Sequence, residues 1–249
     1  MKICACLMTF ILISQGHAHF IDLTHPFDKD TIFWPTEKGF LKQTVYFGET
    51  PKGYFYSAFK FCTPEHGGTH IDAPIHFSKH GLTVDQISPE HLIGEAVVID
   101  VHDKVQGQPD YEIKVQDIQR FENRYRKLRE GDIVLFRTDW SQYWNDKKTY
   151  LGSDKFGDVK HLHFPGISKD AAIYLVKAKI KGLGIDTASM DPGKSKRFYT
   201  HRIILGANLY GLENLDNLNQ LAPVGTFLII APMKIKGGSG GPTRVFAKI

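Results

Sequence analysis

Cysteine is scarce in this 249-residue chain: there are three, and two of them, Cys4 and Cys6, fall within the first ten residues. A chain that loses that segment keeps Cys62 alone, which excludes an intramolecular disulfide scaffold. Cys62 ends an apolar, aromatic run and is expected to be a buried core residue, neither nucleophile nor metal ligand. No Asn-x-Ser/Thr sequon occurs, so N-glycosylation is excluded. Low-complexity tracts, Pro/Gly/Ser linkers and internal repeats are also missing, which excludes a solenoid or a tethered array. Charge of one sign is not gathered anywhere: 31 Lys and Arg are interspersed with 27 Asp and Glu for a net +4. Nucleic acid is therefore a poor partner for it. The apolar run from Ile3 to Ile13 is too short to span a bilayer.

What is present at the start is Met1-Lys2, that apolar run, and then small residues at Gly16 and Ala18, the pattern of a cleaved secretory signal. The expected organisation is a signal peptide over 1–18 and one domain over 19–249, secreted and free of the membrane after cleavage. Thr44–Phe47 and Tyr54–Phe61 carry aromatic and β-branched residues and are expected to pair as strands. Continuous apolar runs over 96–101, 132–137, 182–186 and 226–230 suit central strands covered on both faces. Between them, Ser88-Pro89 and Ser168 look like helix starts, and 115–128 reads as a third, externally charged helix. Strands alternating with helices predict an α/β or mixed α+β layer architecture.

The chemistry concentrates in His66-Gly67-Gly68-Thr69-His70-Ile71-Asp72-Ala73-Pro74-Ile75-His76. Neutral imidazole and carboxylate are the donors that zinc or manganese prefers. The glycine pair disfavours a helix, so the histidines belong on a loop or strand end, where His70 and Asp72, two apart, project to one side. The competing reading, a histidine-rich surface loop, fits poorly with four donors spaced so tightly.

The unbroken pattern His-x-Gly-Thr-His-x-Asp-x-Pro-x-His resembles the signature of the cyclase-family metal-dependent hydrolases, which include bacterial-type kynurenine formamidase and isatin hydrolase. Other segments fall in that family's order: Ile21–Pro26, Phe33-Trp34-Pro35, His163–Ser168, Gly184–Thr187, His201-Arg202, Glu213-Asn214-Leu215 and Gly237–Pro242. The resemblance implies a swivelling β/β/α fold, with a buried sheet or barrel flanked by helices, and a homo-oligomer, usually a dimer. It implies that His66, His70 and Asp72 hold a first divalent ion, zinc or alternatively manganese. Asp72 would bridge to a second ion held by His201 and Glu213, His76 would move the proton, and Trp34 would line the substrate pocket. By themselves, His201 reads equally as a helix-surface residue, Glu213 as a solvated one and Trp34 as core. One departure stands out: the family's Trp-Pro turn commonly continues Gly-Asp, and here it continues Thr36-Glu37, beside the substrate pocket.

An amide is a poor electrophile and water a poor nucleophile, so a divalent ion that improves both, with a histidine such as His76 to shuttle the proton, meets the requirement. Trp34 and Phe33 offer faces for an aromatic ring. The expected activity is that of an arylformamidase, converting N-formylkynurenine and water to kynurenine and formate. Hydrolysis of isatin or another cyclic amide or lactone is the alternative within the same chemistry. A secreted binding protein that keeps the fold without catalysis is the alternative of a different class.

Overall fold

The structure, a computed structural model, describes residues 19–249; the signal-peptide reading of 1–18 lies outside the described residues. Its strands are β1 (Phe20–Asp22), β2 (Leu41–Glu49), β3 (Phe55–Cys62), β4 (His70–Asp72), β5 (Ile93–Asp100) and β6 (Glu112–Ile113). The second half adds β7 (Ile133–Arg137), β8 (Gly166–Ile167), β9 (Gly182–Ile185), β10 (Tyr210–Glu213), β11 (Thr226–Pro232) and β12 (Gly240–Lys248). Eight of these form one sheet in the order β1-β12-β11-β5-β7-β9-β10-β4, and an extra pairing of β12 with β4 closes it into a barrel, leaving β1 alongside. β5, β7, β9 and β10 run parallel, while β4, β11 and β12 join antiparallel. The mixed α/β class and the buried barrel thus match the expected architecture.

The apolar runs behave as strands covered on both sides. Ala96, Val98, Ile133 and Leu135 point to the barrel interior with Ile71, Leu212 and Val245. Their neighbours Val97, Ile99, Val134 and Phe136 point outward, against Ile118, Phe121, Leu175 and Ile204 of the surrounding helices. A period of two along each strand makes this division, and both sets are excluded from water. The helix Lys169–Lys177 starts where Ser168 accepts the Ala171 N–H at 3.3 Å. The charged helix runs Val115–Arg124, shorter than the sequence suggests.

Two local expectations are adjusted. Ser88 stands at the N-cap of a helix with Pro89 at its first position, as expected, but the helix is a single turn, Pro89–Leu92, and the Ser88 Oγ pairs with His91 Nδ1 at 3.0 Å rather than with a backbone N–H. Cys62 is exposed rather than buried. The strands on which it was placed do pair, Thr44 opposite Phe59 with an irregularity before Tyr46, but this β2–β3 hairpin stands off the barrel with nearly all of its residues open. Aromatic content made the strands; it did not supply a second layer to cover them.

Candidate metal centre

Strand β4 is three residues long, and the fold uses it as a wedge. It lies between β10 and β12, with Glu213 opposite His70 on one side and Gly240 opposite Asp72 on the other. Ile71 faces the barrel core with no exposed surface, a burial worth about 2 kcal/mol that pins the strand. Its neighbours His70 and Asp72 must then face the other way, into a cavity of about 400 Å³.

The loop leading to β4 needs its glycines. At Gly67 a Cβ would fall 2.1 Å from the Phe33 ring, and at Gly68, where φ is +57°, 2.4 Å from the Phe27 ring. Without side chains the backbone lies flat on these rings and brings His66 and His70 into one cluster. After β4, Pro74–His76 forms a single 3-10 turn that carries His76 back over the site, its ring stacked on His66 at 3.8 Å and 20°. The far ligands arrive on other elements: Glu213 ends β10, and His201 lies in the helix Tyr199–Gly206. Both are buried, where the sequence alone allowed surface positions.

Three imidazoles are oriented alike. His70 Nδ1 donates to the Gly68 carbonyl at 2.9 Å, leaving Nε2 3.3 Å from Asp72 Oδ1 and 3.4 Å from Glu213 Oε2. His201 Nδ1 donates to Asp191 Oδ2 at 2.7 Å, leaving Nε2 3.2 Å from Asp72 Oδ2 and 3.3 Å from Glu213 Oε1. His66 Nε2 meets Ser239 Oγ at 2.8 Å, and Nδ1 lies 2.7 Å from Asp72 Oδ1. Each ring is tied outward through one nitrogen and turns the other onto carboxylate oxygens, the arrangement that outer partners impose on metal-ligating histidines. Asp72 Oδ2 is buried without a hydrogen bond of good geometry, its near neighbour being His201 Nε2 at 3.2 Å. An orphaned anionic oxygen beside imidazole lone pairs is satisfied by a cation, so the donors present fit a divalent ion.

The electrostatics agree. Burial would raise the Asp72 carboxyl, but the facing imidazoles of His201, His66 and His70 hold it well below its ordinary range. Burial works against charge on His201 and His70, yet the surrounding carboxylates outweigh it and raise both. His76 is different. Burial lowers it to about 4, only partly opposed by Asp72, and the neighbouring histidines push the same way. It is a neutral ring at neutral pH, able to accept a proton.

All six predicted metal and proton-transfer residues meet at this cavity, and the donor atoms of His66, Asp72 and His76, and of His70, Asp72 and Glu213, form two compact groups. Phe33, Trp34, Phe77 and Phe198 give the walls their aromatic character, and Glu37, from the divergent turn, stands on the lining. Sequence reasoning missed Asp191. Its carboxylate accepts the Thr200 and His201 backbone N–H groups at 3.0 Å as well as the His201 ring, so it both caps the helix and aims the histidine. Asp191 precedes Pro192 in an ordinary turn sequence, which carries no signal of that role.

A helix-flanked barrel with a histidine–carboxylate cradle at the floor of an aromatic cavity defines a class of protein, and comparison with known proteins gives the family. The Cyclase family model (Putative cyclase) matches residues 21–192. Isatin hydrolase of Roseibium aggregatum is 34% identical over 194 residues, covering 74% of this chain and 72% of the relative. Kynurenine formamidase of Bacillus cereus is 26% identical over 227 residues, covering 91% and 96%. The solved structure of isatin hydrolase A from Ralstonia solanacearum matches with a TM-score of 0.86 at 32% identity, covering 98% of this chain and 100% of that one. This chain belongs to the Cyclase family.

Proposed function

We propose that this protein is a divalent-metal-dependent hydrolase that opens the amide bond of a small aromatic substrate. The observation that carries this reading is the convergence of three outward-tethered imidazoles on Asp72 and Glu213, with neutral His76 beside them. His66, His70 and Asp72 would hold one ion, and Asp72, His201 and Glu213 a second; zinc is the proposed metal and manganese the alternative. A bound ion would polarise the carbonyl and lower the pKa of a water toward about 7. His76 takes the proton of the attacking water and returns it to the leaving nitrogen. Trp34, Phe77 and Phe198 line the cavity and offer apolar faces to the substrate ring.

Two substrates share this chemistry, N-formylkynurenine and a cyclic amide such as isatin. Among the described residues, the cavity lining contains Glu37 and Glu65 but neither lysine nor arginine. A free amino acid brings a carboxylate that would find no lysine or arginine there, so a neutral cyclic amide suits the lining better. The higher identity to an isatin hydrolase supports the same order. Purified protein loaded with Zn(II) or Mn(II) is expected to open isatin faster than it releases formate from N-formylkynurenine. Formate release as the faster reaction reverses the order, and turnover of neither under either ion leaves a binding protein of the same fold.

The same proposal includes a homo-oligomer, with a second copy covering the β2–β3 hairpin. Phe47, Phe55, Phe59, Phe61, Tyr54 and Tyr56 are each about half exposed there. At 150–250 Å² per aromatic ring they offer roughly 450–750 Å², near the roughly 800 Å² that each partner buries in a standard interface. An isolated two-stranded hairpin is marginal in water, and an isologous pairing of two copies removes that weakness.

A further inference from the structure

The glycine-rich segment Gly237–Gly241 supplies no metal or proton-transfer residue, yet its backbone runs against the centre. A Cβ at Gly240 would fall 2.6 Å from the His66 ring, and one at Gly238 2.9 Å from a Glu65 carboxylate oxygen. Between them, Ser239 donates both its N–H and its O–H to Glu65 Oε2, at 2.9 and 2.6 Å. A serine hydroxyl has one hydrogen. With that hydrogen committed to Glu65, Ser239 Oγ is left to accept, and its other neighbour is His66 Nε2 at 2.8 Å. This geometry calls for a hydrogen on His66 Nε2, with Nδ1 facing Asp72 at 2.7 Å and the cavity.

We propose that Ser239, anchored by Glu65, is a positioning residue that fixes the tautomer and plane of His66 and thereby prepares it as a metal ligand. This rests on the metal-centre reading given above. His70 and His201 are tied by a carbonyl and by Asp191, so His66 depends on a side chain delivered from 173 residues away. Because His76 stacks on His66, the same tether sets the surface against which His76 lies. The order Ser239–His66–Asp72 resembles a hydrolase triad, but a nucleophilic serine must give its hydrogen to the histidine, and this one gives it to Glu65. Ser239 therefore positions and does not attack.

The test uses metal-free full-length protein titrated with Co(II) alone, followed by visible absorption, with melting curves to verify folding. Ser239→Ala and Glu65→Ala are expected to bind Co(II) about 10–100-fold more weakly than the wild type and with an altered spectrum. Ser239→Thr, which restores the hydroxyl, is expected to recover both. Wild-type affinity and spectrum in Ser239→Ala overturn the proposal, as does a loss that Ser239→Thr leaves uncorrected. Failure of the wild type itself to bind Co(II), Zn(II) or Mn(II) would instead sink the metal-centre reading.

Discussion

His76 and His66 lie face to face, but their surroundings give them different work. His66 is tied through Nε2 to Ser239 and turns Nδ1 onto Asp72, whereas no hydrogen bond to a described residue holds the His76 ring, and burial keeps it neutral. His76→Ala is expected to reduce turnover by about 10²–10⁴-fold, the range for a lost acid–base group, with metal content by mass spectrometry unchanged. Stoichiometric loss of metal would make His76 a ligand. At this scale, spacing made His66, His70, Asp72 and His76 legible, because four donors within eleven residues can hardly diverge. Glu213 and His201 became legible only through the family's order of motifs. Asp191, Glu65 and Ser239 were not legible as partners, since nothing in the local sequence shows which serine or aspartate meets a given ring.

The elements explain why those donors meet. Strand β4 is too short to stand alone; its register against β10 places Glu213 beside His70, and its register against β12 brings Ser239 just past Asp72, at the strand's other end. The β2–β3 hairpin is the opposite case, a long element with no cover. Its strands were readable from composition, but their exposure was not, and Cys62 was misplaced for that reason. Phe47→Asp combined with Phe55→Asp is expected to convert an oligomer into a monomer in light scattering, while the melting temperature at low concentration changes little. A wild type that is monomeric at micromolar concentration, or a double variant that still associates, would refute the pairing. The chain leaving β3 at Cys62 runs through Thr63 and Pro64 directly to Glu65 and His66.

Two buried groups away from the centre give the whole molecule opposing responses to pH. His25 is stacked on Trp144 at 3.9 Å; burial lowers it to about 4, outweighing the opposing charge of Asp216. The unfolded chain therefore binds a proton that the folded one refuses, and stability falls as pH drops from about 6.5 toward 4. Asp186 is raised to about 7 by burial, against the hydrogen bonds from Thr138 and with help from Asp139. Here the folded chain keeps the proton, so its contribution is present below about 3.8 and is lost as pH rises through 7. Each slope is at most about 1.4 kcal/mol per pH unit, and between about 4 and 6.5 they offset one another. In urea denaturation, His25→Phe is expected to be relatively more stable at pH 4.5 than at pH 7, and Asp186→Asn relatively more stable at pH 7 than at pH 4.5. Parallel stability profiles for wild type and both variants would refute these assignments.

The sequence by itself determined the local things. Alternating and continuous apolar runs made the strands, Ser168 started a helix, and the motif from His66 to His76 placed four donors on one short extended path. These depend on contacts within a few residues, which spacing encodes. Only the tertiary structure decided that the sheet closes through β12 and β4, that Glu213 and His201 are buried opposite that path, and that Asp191, Ser239 and Glu65 aim its histidines. Those pairings span up to 174 residues, and they follow from barrel closure and strand register, quantities set by the packing of the whole core.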